Sequence, residues 1–371
     1  MLTSCLFTDN QQILALGQPC ETLEARSEAQ LRALPGQLKQ AFRRGIRFAA
    51  GVVPYEAGYR LHGMEIDRHS TAIVHLYRER PSPIPSSSID CETGFRLTTA
   101  FTADMAHQQY RQRIDKILAY LEAGDCYQVN LAQRFSATFE GDPLAGWQKL
   151  LWQHPAPHAC FFRMGEDALF GVSPERFLSI QQDRVVTEPI KGSRPRGATP
   201  EEDARLGEAL RQHPKDRAEN LMIVDLLRND LGACCEPGSV RAEPLFELRR
   251  FSNVQHLVST VSGRLRAELT PLDALLSAFP GGSITGAPKR RAMEIIAELE
   301  PSPRGAYCGS FFWQDDLGNF DSNILIRTMQ TRGKHLYCHG GGGIVYDSDP
   351  AEEYRESLFK VEKLMAALQS G

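Results

Sequence analysis

The strand-like segments of this 371-residue chain fall into clusters, and the helix-like ones into others, without the strict strand–helix–strand alternation that a parallel sheet requires. Apolar or alternating runs predict strands near residues 127–135, 159–164, 168–172, 176–180 and 185–189, with Gly and Asp turns between them. A second group at 307–315, 323–331 and 336–339 reads as a meander turning at 316–319 and 332–334, and residues 47–55 and 71–77 also look like strands. Met105, Tyr110, Ile114, Ile117, Leu118 and Leu121 fall at helical spacing, with Gly124 as the stop. Further helices are predicted at 200–212, 218–229, 288–299 and 350–368, the last two with Pro near the first turn. The pattern predicts an α+β fold built on large antiparallel sheets.

With 42% hydrophobic and 24% charged residues, a chain of this length can bury a substantial core as one large unit or two, without disulfides or structural metal. A formal net charge of −4 gives no general pull toward nucleic acid or anionic membrane, so an anionic ligand must be met by locally placed donors. The nine cysteines are odd in number, irregularly spread and contain no Cys-x-x-Cys, which argues against a disulfide framework or a thiolate zinc site and fits a reducing cytosol. The first basic residue is Arg26 and no apolar run approaches the ~20 residues of a membrane span, so a soluble, unexported, cytoplasmic protein is expected. Three prolines and four serines in 81–90 predict a linker or exposed loop dividing residues 1–95 from a motif-dense 96–371.

The run Pro-Gly-Gly-Ser-Ile-Thr-Gly-Ala-Pro-Lys at 280–289 is expected to open a helix whose free N–H groups could meet an anion. It is not a P-loop, because Ala287 and Pro288 stand where Lys and Ser/Thr are required, and a ligand-free glycine-rich helix entry is the ordinary alternative. Four successive glycines at 340–343 are harder to explain by packing, since each costs about 0.5–1 kcal/mol of chain entropy relative to alanine. Close backbone approach to a ligand is the expectation there. Glu353 and Glu356 are i, i+3 neighbours able to share a hard cation such as Mg²⁺, and Glu219 is a further acidic candidate, although solvated helix glutamates are commoner. Lys191, between an apolar strand and a glycine, would become nucleophilic in a desolvated or cation-rich site. Glu175 and His256 are acid/base candidates, each of a kind more often structural when taken alone.

Taken in order, Gly-Asp-Cys-Tyr-Gln-Val-Asn-Leu-Ala-Gln-Arg (124–134), Ser-Pro-Glu-Arg-Phe (173–177), Pro-Ile-Lys-Gly-Ser (189–193), the segment from Lys215 to Asp230, His-Leu-Val-Ser (256–259), the glycine run at 280–289 and Gly-Gly-Gly-Ile-Val (341–345) closely resemble the motifs of the chorismate-utilising enzymes. The resemblance runs from about residue 100 to the C-terminus. It implies two antiparallel β-sheets forming a β-sandwich flanked by helices, with the active site in a cleft between them and the first ~95 residues completing the sandwich.

The resemblance also implies a magnesium-dependent reaction of chorismate. By similarity, Glu219 and Glu356 would ligate Mg²⁺ with Glu353 assisting through water. Tyr307 and Arg327 would grip the enolpyruvyl carboxylate, with the Gly342 and Gly343 backbone and Lys360 nearby, a role that suits the bidentate arginine fork. Ser283 would stand near the substrate, and His256 near the ring carbon that loses its hydroxyl. Members that add water carry a lysine base where this chain has Gln128, and ortho-aminating members carry alanine where it has Lys191. Both positions place it with the para-aminating branch, where Lys191 would attack the ring, Glu175 would protonate the departing hydroxyl and ammonia would then displace the enzyme. Ser193 replaces the usual threonine, and the poorly matching N-terminal portion leaves open the tryptophan pocket known in some members. The chain has no Cys-His amidotransferase signature, so a glutamine amidotransferase partner is implied as the source of ammonia. An ortho-aminating synthase is the nearest rival; a silent binding subunit would have no need of both Glu175 and Lys191.

Overall fold

In the computed structural model, which describes residues 3–68, 70–89, 91, 93–250 and 254–369, Phe7 packs on Phe48 and Phe311 with ring centroids 6.0 and 5.8 Å apart, and Phe162 meets Phe311 at 6.1 Å. These contacts join two sheets. One, of eleven strands, runs from an edge at Gly286–Ala287 through Gln128–Gly141, His335–Ile344, Thr328–Arg332, Asp167–Ser173, His158–Met164, Cys5–Asp9 and Gln12–Leu16 to Ser82–Ile84, with Phe95–Leu97 and Thr102–Ala103 also on Gln128–Gly141. The other, of nine, runs through Arg241–Ala242, Val261–Arg264, Arg184–Thr187, Arg176–Gln181, Phe320–Asn323, Ser310–Asp315, Phe48–Val53 and Ala72–Tyr77 to Glu21–Ala25. A three-stranded sheet, Ile190–Pro195, Val254–Val258 and Glu247–Arg250, stands beside them. Every described pairing is antiparallel, for instance Phe161 with Phe170 and Gly51 with Val74.

The two-residue side-chain period of a strand divides the core. Cys5, Phe7, Phe48, Ala50, Val52, Cys160, Phe162 and Leu169 fill the space between the large sheets. Their neighbours Leu6, Phe161, Ala168 and Phe170 face outward onto the helices Pro143–Gln153 and Pro350–Gln369. Ala49 and Val53 likewise face outward, onto a layer including Glu28–Arg43, His107–Glu122, Pro271–Ala278 and Lys289–Leu299. Residues before the Pro/Ser-rich segment thus supply strands to both large sheets.

Several expectations need correction. The segment at 81–90 was expected to lack regular structure, yet Ser82–Ile84 forms an edge strand in which Pro83 lies opposite Leu14, and Ser86–Ser88 a 3₁₀ turn. An edge tolerates proline because one side of the strand donates to no ladder; Asp90 lies outside the described residues. Between the strands expected at 127–135 and 159–164 stands the helix Pro143–Gln153, started by Asp142, whose carboxylate accepts from the Leu144 N–H at 3.0 Å. The strand expected at 323–331 is two strands in different sheets, Phe320–Asn323 and Thr328–Arg332, so the C-terminal group is not one meander. The run stays buried on both sides of the break, which hides it from an alternation test. The strand expected at 307–315 begins only at Ser310.

Both glycine runs also behave differently from expectation. Residues 280–289 do not lead straight into a helix: a 3₁₀ turn at Gly282–Ile284 and a short strand at Gly286–Ala287 come first, and the helix begins at Lys289. The Gly282 N–H is used internally, donating to Asp230 Oδ2 at 3.1 Å, and is therefore not available to an anion. Of the four glycines at 340–343, the first two answer to packing. A Cβ on Gly340 would sit 2.3 Å from the Ser357 carbonyl oxygen of the last helix, and one on Gly341 2.3 Å from the Leu131 carbonyl oxygen.

Candidate active site

Two adjacent strands change sheets at the same level. Asp167–Ser173 pairs with Thr328–Arg332 in the eleven-stranded sheet, while their continuations Arg176–Gln181 and Phe320–Asn323 pair in the nine-stranded one. Pro174 and Glu175 make one crossing, residues 324–327 the other. The crossings are stitched by Ser173 Oγ donating to Ile324 O at 2.6 Å, Ile324 N to Glu175 O at 3.0 Å and Val172 N to Arg327 O at 3.1 Å. Arg327 sits there with φ +53°, a left-handed conformation that costs a non-glycine residue on the order of 1 kcal/mol and concentrates at functional sites.

Glu175 accepts a 2.8 Å hydrogen bond from Ser283 Oγ. Burial pushes its carboxyl above the usual carboxylate range, opposed by the Lys191 charge, the Ser283 bond and the Lys360 charge. Lys191 lies on Ile190–Pro195, half-buried, and its charge also acts on Glu356. Glu175, Lys191, Ser283, Glu356 and Lys360 therefore form one electrostatic neighbourhood, drawn from the first crossing, the small sheet, the 3₁₀ turn at Gly282–Ile284 and the last helix.

The last helix supplies the acidic side. Glu356 Oε1 pairs with Lys360 Nζ at 2.6 Å, and Lys360 also donates to Gly341 O at 3.0 Å. Burial would raise the Glu356 carboxyl, but Lys360, with Lys191 and Lys215 beyond, holds it below its ordinary value. Glu353 moves the other way: burial raises it and Glu356 adds to this, against a 2.6 Å bond from Ser348 Oγ. A Cβ on Gly342 would meet Glu353 Oε2 at 3.2 Å, Lys360 Nζ at 3.6 Å and Glu356 Oε1 at 3.8 Å, and one on Gly343 would meet Gln128 Nε2 at 2.9 Å. At these two positions a side chain would press on polar side-chain tips and not on backbone.

His256 lies opposite Ser193 in the small sheet, and its Nδ1 is 2.7 Å from Ser193 Oγ. Burial and the Arg327 charge push its imidazole below the ordinary value, against a bond with the Gly192 backbone, so it is held neutral. Arg327 keeps its side chain exposed yet is pushed below its ordinary value by desolvation from the protein around it, with no carboxylate among the described residues to offset this. A guanidinium so placed suits an incoming carboxylate.

Two predicted residues are engaged by other partners. Tyr307 is buried, its ring stacked on His339 at 5.0 Å and its hydroxyl engaged with the Cys308 thiol. Glu219, on Pro214–Gly232, has Lys215 4.0 Å away and joins no cluster with Glu353 and Glu356. Among the described residues no three His, Cys, Asp or Glu side chains are gathered closely enough to hold a metal. In kind, the Glu353 and Glu356 oxygens fit a hard cation such as Mg²⁺, which keeps water in its shell and needs few carboxylates, and the charge they would offer it is met by Lys360.

Sequence reasoning passed over the groups that hold these residues in place. Asp230 is buried and takes Lys289 Nζ at 2.5 Å as well as the Gly282 N–H, which fixes the turn carrying Ser283. Arg176 joins Asp321 at 2.9 Å and Glu188 at 2.8 Å, tying the strand after Glu175 to the segment before Lys191. Fully buried Arg304 is bound by both oxygens of Glu300, and Glu300 also accepts from Ala132 N on the strand of Gln128. Asp230, Lys289 and Arg176 lie inside the recurrent motifs, which is the signal that could have singled them out.

A family model described as chorismate binding enzyme matches residues 6–366. Aminodeoxychorismate synthase component 1 of Klebsiella aerogenes is 53% identical over 276 residues, covering 74% of this chain and 61% of that protein. The protein of the same name from Escherichia coli strain K12 is 44% identical over 304 residues, covering 81% and 67%. The chain thus spans about three fifths to two thirds of the length of these relatives. A crystal structure of anthranilate synthase component I from Streptococcus pneumoniae TIGR4 matches with TM-score 0.75 and 28% identity, covering 98% of this chain and 90% of that one.

Proposed function

Because the chain belongs to the chorismate-binding enzyme family, we propose that it acts as component 1 of an aminodeoxychorismate synthase, aminating chorismate with ammonia to 4-amino-4-deoxychorismate on a route to para-aminobenzoate and folate. The observation that carries this reading is the joint placement of Lys191 and Glu175. An amine and a half-buried carboxyl whose proton affinity is raised sit in one neighbourhood, and the Arg327 charge reaches His256 on the same small sheet as Lys191.

In the proposed sequence the Lys191 amine attacks ring carbon 2, both ring double bonds shift by one position around the ring, and the bond from ring carbon 4 to its hydroxyl breaks. Glu175 gives its proton to that oxygen, which leaves as water; burial keeps the proton available. Ammonia then adds at carbon 4, both double bonds shift back, the bond from carbon 2 to Lys191 breaks, and the lysine leaves as an amine while the new nitrogen carries the extra proton. Ser283 orients Glu175, neutral His256 stands by the leaving hydroxyl, and Arg327 with Lys360 meets the carboxylates. We assign Tyr307, the Gly342 and Gly343 backbone and Gln128 to the walls of this pocket, where Gln128 cannot deprotonate water. Glu353, Glu356 and Glu219 are the residues we assign to Mg²⁺, which when bound would supply positive charge for the ring carboxylate. Ammonia would come from a glutamine amidotransferase subunit. No described helix is long and apolar enough to cross a membrane, and we place the protein in the cytoplasm.

The test is product identity. With chorismate, Mg²⁺ and ammonium, followed by a lyase, para-aminobenzoate is expected. Ortho-aminobenzoate would instead support anthranilate-type chemistry, the second reading, favoured by the likeness to the streptococcal structure. With glutamine as sole nitrogen source, activity should require an added amidotransferase.

A further inference from the structure

His339, whose ring stacks on Tyr307, is also a wall of a separate cavity of about 480 Å³. Arg134 lies directly opposite His339 in the eleven-stranded sheet, Arg332 ends the next strand, and Arg26 and Arg60 approach from the N-terminal segments. The two carboxylates on the wall are already engaged. Glu56 accepts from the Arg304 and Gly305 N–H groups at 2.7 and 3.2 Å, and Asp167 from the Gly333 N–H at 2.7 Å. Four of the five Arg304 N–H donors go to Glu300 and to the Ile284 and Asn130 carbonyls, so it has little left to offer a ligand.

The remaining guanidinium groups are under-used. Among the described residues the Arg60 guanidinium gives one bond, to Ser70 O at 2.9 Å, and that of Arg26 reaches only the exposed Glu24. Arg134 lies over the Tyr337 ring at 4.8 Å, and its buried Nε has no hydrogen-bond partner among the described residues. His339, 7% exposed, has a second orphan: its ring bonds to the Pro303 carbonyl, which requires the protonated nitrogen, and leaves Nε2 as an acceptor without a donor. Buried polar atoms without partners are rare enough to require an explanation. A concave wall rich in spare guanidinium groups attracts anions, and the volume lies in the range of small-molecule sites.

We propose that this cavity binds a small polyanion carrying a hydroxyl group, its acidic groups held by Arg134 and Arg332 and its hydroxyl donating to His339 Nε2. The ligand chemistry is that of a hydroxylated di- or tricarboxylate or of a phosphate compound. The inference needs no catalytic activity and stands apart from the proposed reaction.

Calorimetric titration of the whole chain with citrate, tricarballylate and pyrophosphate, in about 0.15 M salt to screen diffuse surface attraction, tests it. Citrate or pyrophosphate should bind once per chain, the tighter of the two telling the carboxylate source from the phosphate one. Arg134→Gln and Arg332→Gln should each weaken binding about tenfold, the order expected for one charge-assisted hydrogen bond. Arg332 is exposed, so its variant tests binding without disturbing the core. Tricarballylate, which is citrate without the hydroxyl, should bind about tenfold more weakly, a difference that vanishes in His339→Phe. Absence of saturable binding by both citrate and pyrophosphate, or affinities unchanged in both arginine variants, overturns the proposal; equal binding of citrate and tricarballylate overturns the role of His339.

Discussion

Ser283 Oγ donates to Glu175 Oε1 over 2.8 Å, joining residues 108 positions apart in sequence. The bond favours the ionised carboxylate and so tempers the rise that burial imposes. Removing it in Ser283→Ala should raise the Glu175 pKa further. If Glu175 is the acid, the rate falls as pH rises through that pKa, so the alkaline limb of the kcat profile should move to higher pH. A limb that stays in place in the pH–rate profile would remove Glu175 from this role.

Lys191→Ala should slow para-amination by at least about a hundredfold, the order carried by a positioned catalytic group. Chorismate binding in the presence of Mg²⁺, measured by calorimetry, should persist. Glu219→Ala is expected to weaken both. Wild-type turnover by Lys191→Ala would exclude the covalent route.

Gly340→Ala places a methyl group 2.3 Å from the Ser357 carbonyl, where the last helix must lift. A cost of about 1–3 kcal/mol is expected in urea unfolding, typical of overpacking. Gly342→Ala meets flexible carboxylate and ammonium tips at 3.2 Å and beyond, so it should spare stability and impair substrate binding instead.

Asp230→Asn leaves Lys289 buried with no opposite charge, which should cost about 3–5 kcal/mol in denaturant titration. Adding Lys289→Met should recover much of that loss, because the cost lies in the stranded ammonium and not in the missing attraction.

His158 and His339 are both held near 3 by burial, below an ordinary 6.5, and are neutral in the native state. The unfolded chain binds these protons first as pH falls, so their contribution to stability is complete above about 6.5 and is lost progressively toward 3. Melting temperature should therefore drop across this window, and His158→Phe should shallow the slope.

The apolar runs at 159–164 and 168–172 were legible as strands because each buries both faces against different partners and the two join at a glycine turn, Gly165, with φ +66°. The helix Pro143–Gln153 carried a readable Asp-Pro start, but residues 143–147 are buried almost all round, which blurs helical periodicity. The break after Asn323 left no mark, since the chain leaves one core only to enter another. Glu175, Lys191 and Glu356 were legible as members of recurrent motifs. Their supports were less so: Asp230 and Arg176 act through partners 59 and 145 residues away, and no local pattern encodes such separations.

The paired strand crossings give the molecule a mechanical property. Glu175 and Arg327 sit on short spans anchored at one end in each large sheet, like rungs between two rails. Relative motion of the two sheets must bend the chain where it passes between them, and because the spans are tied to each other by hydrogen bonds, the acid and the guanidinium ride that motion together.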